Sequence, residues 1–321
     1  MSYFYKFIFN ISLLISFSVP FIENFAQEDF IRYMEFELPY EALERAYRYD
    51  IESHSTEYPL DWVELLAFAV AKNWGNIDSK IKGNMDEAVH LIRDGQLMQD
   101  ISKSLKLYDY YFTTFSAVLA GFLGEYEVVE NGVTTKQYGL KAFSPIAKGH
   151  SFEHFNDFGN PRSYGYKRRH LGHDIFGATG TPIIAVEDGV VEALGWNRFG
   201  GWRIGIRSID SKRYYYYAHL RKDRPYAKGL SIGQHVQSGD VIGYLGATGY
   251  STKENVSNID VPHLHFGLQI IFDESQKDSV NQVWIDCYSI TKFLNKNRMT
   301  VIKTQDNEYI RSVEINNHPI D

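Results

Sequence analysis

The sequence predicts an α+β chain in which an N-terminal all-α helical domain is followed by a mainly antiparallel, barrel-like β-sheet domain. Two observations carry this. Up to about Gly124 the apolar residues recur at helical spacing, whereas beyond Tyr126 the period drops to two, with tight turns and little helix before Asp278. At 321 residues and 44% hydrophobic, the chain is also long enough for two ordinary cores.

Residues 1–26 form the first element. They carry Lys6, no charge from Phe7 to Ile22, and acidic residues after that. An uncharged run of 16 residues is shorter than the roughly 20 that a membrane-spanning helix prefers, and Pro20 ends its helical part. Asn24-Phe25-Ala26 is an imperfect cleavage site, because Asn24 is not small. The segment reads as a cleaved secretory signal, with a retained membrane anchor and a buried core helix as the alternatives. Either of the first two places the protein outside the cell, secreted or tethered to the surface. Cys287 is the only cysteine, so no intrachain disulfide can form, which is compatible with a Gram-positive-like surface.

Residues 27–125 follow as the helical domain. In "DWVELLAFAVAKNWG", Trp62, Leu65, Leu66 and Val70 fall on one stripe, and "MDEAVHLIRDGQLMQDISKSLK" continues the pattern with Gly95 as a break. Four or five helices are expected here, forming a structural or docking module. Glu41, Glu44 and Asp50 raise a glycosidase reading, which is set aside because acids on helix surfaces are far commoner than catalytic ones. The β-rich domain spans 126–300. "GEYEVVENGVTTKQYGLKAF" contains an Asn131-Gly132 hairpin signal that bridges the two domains. "TPIIAVEDGVVEALGW" reads as strand, Asp188-Gly189 turn and strand, "WRIGIRSIDSKRYYYYAHL" and "GDVIGYLG" supply more strands, and a short helix closes the domain around Ser289 to Asn297. Residues 301–321 are a C-terminal tail.

A net charge of −7 and a pI near 5.9 exclude a nucleic-acid partner, since neutralising phosphates needs concentrated Lys and Arg. One region departs from that balance. Between Gly165 and Arg224 there are eleven Lys or Arg against six Asp or Glu, suited to anionic glycan or peptide carboxylates, or to solvated strand edges that resist aggregation.

The residues that carry chemistry lie in two stretches. "KRRHLGHDIFG" offers His170, His173 and Asp174, and "VPHLHFGLQIIF" offers His263 and His265. On a strand, side chains at i and i+2 share a face, so His263 and His265 point together while Leu264 and Phe266 point away. If residues 170–174 are extended, His170 and Asp174 reach one face and His173 the other. A hydrolytic zinc site uses three protein ligands and keeps a fourth position open, a count that His170, Asp174 and one of His263/His265 satisfy. The other His is left free to handle protons, and His219, ending "YYYYAHL", is a further candidate.

The ordered elements "HLGHD", "GTPIIAVEDGVV", "YYAHL", "GQHVQSGDVIGYLGATGYS" and "PHLHF" closely resemble the lysostaphin-type (LytM-like) zinc metallopeptidases, which cut peptide cross-links in bacterial peptidoglycan. The resemblance covers roughly residues 140–271. It implies one Zn2+ per chain held by His170, Asp174 and His265, with His219 and His263 as uncoordinated catalytic histidines. His263 is expected to act as base and His219 as oxyanion stabiliser, or the reverse. His173 is expected to be a bystander. The implied activity is that of an exported zinc endopeptidase acting on stem peptides or cross-bridges. The alternative is a non-catalytic surface scaffold or regulator that binds cell wall or a partner with the same fold. Two departures stand out. "YSTKENVSNIDVP" inserts polar residues before His-x-His and is expected to border the cleft, and the helical domain matches no familiar wall-binding module.

Overall fold

A computed structural model of the protein describes residues 30–317. The segment read as a signal or anchor lies outside the described residues, among which no helix is long and apolar enough to cross a membrane. Five helices precede the sheet, α1 (Tyr40–Ser53), α2 (Trp62–Lys72), α3 (Lys80–Arg93), α4 (Met98–Ser102) and α5 (Tyr108–Leu119). At the start of α2 the Asp61 side chain accepts from the Glu64 N–H at 2.8 Å, satisfying one free donor of the first turn. The helix is apolar over more than the expected stripe. Every residue from Trp62 to Ala71 except Glu64 is buried, because α1, α3 and α5 surround it. Just past α3, Gly95 takes φ +87°, a left-handed conformation that glycine adopts without a side-chain clash. Both Asp50 oxygens are occupied, by the Tyr138 hydroxyl at 2.7 Å and the Trp62 N–H at 2.9 Å, so this acid joins α1, α2 and the following hairpin.

Asn131 and Gly132, at φ 52° and 77°, turn the Leu123–Glu130 strand into Val133–Leu140, and Glu314–Asn317 pairs with the hairpin's outer side. The main sheet contains β1 (Phe152–Phe155), β2 (His173–Gly177), β3 (Gly189–Asn197), β4 (Gly201–Ser208), β5 (Arg213–Ala218), β6 (His235–Val236), β7 (His263–Ile270) and β8 (Val283–Ile285). The order is β6-β3-β4-β5-β7-β2-β1, with β8 also pairing β7, and every pair is antiparallel. This path has two ends, so the sheet is open rather than a closed barrel. The Pro182–Ile184 strand before the Asp188-Gly189 turn pairs with Val241–Tyr244 and not with β3. Asp188 is committed instead to the Ser238 N–H at 2.7 Å and to Asn317 at 2.6 Å.

Among the described residues, those from Ile31 onward form one compact unit. A continuous apolar core runs from Leu43 and Leu66 of the helices through Phe115 to Tyr217, Phe266 and Phe293. Buried Arg213 fastens the two parts, because its guanidinium holds Glu187 with two bonds of 2.8 Å and donates to the Ala117 carbonyl of α5 at 2.8 Å. Helix α6 (Tyr288–Leu294) packs Phe293 against Tyr47 and Trp62.

Candidate metal centre and cleft

Strand β7 alternates as its sequence requires. Leu264 and Phe266 are fully buried on the core side, leaving His263 and His265 on the opposite face. Across the ladder, His265 stands directly opposite Asp174 of β2. His170 arrives differently from the expected extended run. Strand β2 begins only at His173, and a bend at Gly172 separates it from His170, which backbone bonds of 2.8 and 2.9 Å tie to Gly159 and Asn160. Gly172 also creates room, because a Cβ there would lie 2.5 Å from His265 Cε1 and 2.6 Å from its Nε2.

Three donor atoms converge. His170 Nε2 lies 2.7 Å from His265 Nδ1 and 3.1 Å from Asp174 Oδ1, and His265 Nδ1 lies 3.2 Å from the same oxygen. Among the described residues these three form the one cluster of metal-ligating type. Tetrahedral zinc bonds of about 2.0–2.2 Å give ligand-to-ligand edges of roughly 3.3 Å, so two imidazoles and a carboxylate at these separations fit such an ion.

Two residues that the sequence reading missed orient these donor groups. Asp157, whose side chain is fully buried, places Oδ1 3.1 Å and its carbonyl oxygen 3.3 Å from His170 Nδ1. Arg162 bonds the other Asp157 oxygen and also reaches Asp174 Oδ2 at 3.2 Å, which turns Oδ1 toward the imidazoles. Burial would lower the His170 pKa, but its contacts with Asp157 and Asp174 outweigh this and raise it to about 9. Burial would raise that of Asp174, and His170 and His265 instead hold it well below the carboxylate range. No spacing in "EHFNDFGNPRSY" marks Asp157 or Arg162, since only the folded loop brings them to His170.

His219 and His263 stand beside the cluster with ring centroids 4.8 Å apart. His219 takes a left-handed φ of +61° just past the end of β5, where the chain turns out of the strand. Its Nδ1 faces the Thr248 carbonyl at 2.9 Å, and that of His263 faces the Val261 carbonyl at 2.8 Å. A carbonyl only accepts, so in both rings Nδ1 carries the proton and the neutral ring offers Nε2 as an acceptor. Burial, reinforced by His263 and His265, holds the His219 pKa well below its ordinary value. His173 lies on the other face of β2, buried, with Nε2 2.7 Å from His154 Nδ1, and burial takes its pKa down to about 3.

The cluster opens into a cleft of about 340 Å³, whose lining includes Arg203, Tyr214, Tyr216, Trp284, Phe199 and Tyr250. Of the inserted stretch, Tyr250 alone lines this cleft. Asn255 turns instead to the Trp202 indole and the Asp223 N–H, each at 2.9 Å.

Residues 168–282 match the model of Peptidase family M23. The L-Ala--D-Glu endopeptidase of Bacillus subtilis (strain 168) is 44% identical over 124 residues, which are 39% of this chain and 36% of that protein. Glycyl-glycine endopeptidase ALE-1 of Staphylococcus capitis is 38% identical over 98 residues, 30% of this chain and 24% of that one. The chain thus spans about a third or less of the length of these curated relatives. A solved structure named lytM from Ruminococcus gnavus ATCC 29149 superposes with a TM-score of 0.53 and 19% identity over 83% of this chain and 91% of that chain. That share is too large for the sheet region alone, so the likeness of fold extends into the helices.

Proposed function

The chain carries a peptidase family M23 domain at residues 168–282, and from that premise we propose that it is an exported zinc-dependent endopeptidase hydrolysing peptide bonds in peptidoglycan cross-links. The observation that carries this reading is the convergence of His170 Nε2, Asp174 Oδ1 and His265 Nδ1 at the floor of a cleft, with two further imidazoles beside them. These three residues would hold one zinc per chain. When bound, zinc lowers the pKa of water toward neutrality and polarises a carbonyl.

The remaining steps belong to His219 and His263. With Nδ1 donating to the Thr248 carbonyl, His219 presents Nε2 as the acceptor of a proton, and we assign it the role of base. His263 has Nε2 3.7 Å from Asp174 Oδ1 and its ring beside that of His219, and a proton handed to it can stabilise the oxyanion or pass to the leaving amine. This is the reverse of the first assignment offered by the sequence. The relatives named for L-Ala--D-Glu and glycyl-glycine cleavage support a peptide of the cell wall as substrate. Protein loaded with one zinc is expected to release soluble peptides from purified peptidoglycan, to stop on chelation and to resume on zinc addition. Zinc-loaded protein that binds walls but releases nothing would establish the scaffold alternative.

A further inference from the structure

We propose that Arg203 binds a free carboxylate of the substrate, so that the cleft takes an acidic stem peptide in preference to a neutral oligoglycine; this rests on the peptidase reading above and names its substrate class. Strand pairing places the residue. Ala218 and Tyr216 of β5 stand opposite His265 and Gly267 of β7, and Tyr216 and Tyr214 stand opposite Gly205 and Arg207 of β4. Arg203 therefore shares the face of β4 that continues the surface of His265, Tyr214 and Tyr216.

The two arginines of that face differ in one respect. Arg207 is buried and already neutralised, by Glu192 at 3.4 Å and Glu274 at 2.9 Å. Arg203 lines the cleft, no carboxylate among the described residues lies within ion-pair distance of it, and its buried Nε has no hydrogen-bond partner. Of the other cations of the cleft, Arg168 donates to the Tyr164 carbonyl at 2.8 Å and lies over the Phe199 ring, and Arg169 is exposed to solvent, which spares it the cost of an unpaired buried donor. Arg162 serves Asp157 and Asp174, and Lys277 pairs with Glu192 at 2.5 Å. A half-buried guanidinium with an unmet donor is costly to leave unpaired, and a carboxylate satisfies it with a two-pronged bond that a glycine chain cannot supply.

The floor beside Arg203 is built to hold a chain. A Cβ at Gly205 would collide with the Tyr214 hydroxyl, one at Gly200 with the Tyr216 hydroxyl, and one at Gly267 with Trp284, so three glycines let three aromatic rings lie along the cleft. Arg203 is two strands from His265, about 9–10 Å at the usual interstrand spacing. An extended peptide advances roughly 3.3 Å per residue, which puts the recognised carboxylate within about three residues of the scissile bond.

The test uses the full chain loaded with zinc and synthetic stem peptides whose glutamyl or diamino-acid carboxylate is either free or amidated, with pentaglycine as the neutral substrate. The expected kcat/KM favours the free acid over its amide by about tenfold or more at one of the two positions, which identifies the carboxylate read. In Arg203→Met that ratio falls to about one, and in Arg203→Lys, which keeps the charge and loses the fork, it is intermediate. Zinc content and melting temperature, measured on each variant, report any loss of fold. A ratio that survives Arg203→Met, or a wild type that cuts pentaglycine as fast as the acid, overturns the assignment. If the wild type cuts no peptide, the peptidase reading is what fails. Calorimetric binding of the acid and amide peptides then decides on Arg203, with tighter acid binding lost in Arg203→Met in its favour and equal binding against it.

Discussion

Gly172→Ala tests whether the bend before β2 exists to admit the His265 ring. The added Cβ would stand 2.5 Å from His265 Cε1, 2.6 Å from Nε2 and 2.9 Å from the Phe266 carbonyl oxygen. Gly172 does not adopt a left-handed φ, so crowding is the only penalty. Ordinary contact at 3.4 Å requires the ring to retreat by roughly 0.9 Å, and the Phe266 backbone oxygen, itself only 2.9 Å from the added Cβ, cannot give way as a side chain can. Metal–ligand distances tolerate only about 0.2 Å, so a displacement of that size removes His265 from the ligand set. The expected loss of zinc affinity is about 100-fold or more, while the crowding costs about 1–3 kcal/mol of stability and leaves the protein folded. Competition against a chromophoric chelator measures the first quantity and a urea melt the second. Gly83→Ala, where nothing lies within 4 Å, is the control and should leave zinc binding unchanged. Wild-type zinc affinity in Gly172→Ala would refute the role given to this glycine.

Asp157→Asn removes the charge that orients His170 at nearly constant volume, so zinc affinity should fall about 10–100-fold in the same competition assay, and an unchanged affinity would contradict that role. His219→Ala and His263→Ala should each lower kcat on a cleaved peptide by about 10²–10⁴ while metal analysis still finds one zinc; full turnover in either would remove that residue from the mechanism. Burial, and then Lys292, lower the His154 pKa to about 4. Because the unfolded residue titrates near 6.5, the unfolded chain binds the proton first, and the stability contributed by neutral His154 is present above about pH 6.5 and lost as pH falls toward about 4. Allowing for its partial exposure, the contribution is on the order of 1–2 kcal/mol. Urea midpoints from pH 7 to 4.5 should therefore fall less steeply in His154→Gln than in the wild type, and parallel curves would exclude this titration.

What the sequence disclosed about the site is what short-range geometry controls. His263 and His265 share a face because strand alternation leaves no other choice, and the change of period near Tyr126 marks the passage from helices to sheet. His170 was placed with Asp174 by assuming an extended run, yet a bend at Gly172 brings them together, a detail set by how closely the His265 ring packs. Asp157, Arg162 and Arg203 carried no local signal. The first two reach the ligands through a loop of irregular structure, and Arg203 is singled out from Arg207 only by the carboxylates that fold onto one and not the other. The buried bonds from Arg213 to Glu187 and the Ala117 carbonyl join helices to sheet across long sequence distances, which no hydrophobic pattern encodes.

The central claim is that His170, Asp174 and His265 hold a zinc used to hydrolyse wall peptides. It is tested most directly by digesting defined muropeptides with the zinc-loaded wild type and with His265→Ala, and identifying the products by mass. A single peptide bond opened by the wild type, gaining one water, with no product from the variant, is the predicted result. Muropeptides left intact by protein shown to hold one zinc would contradict it.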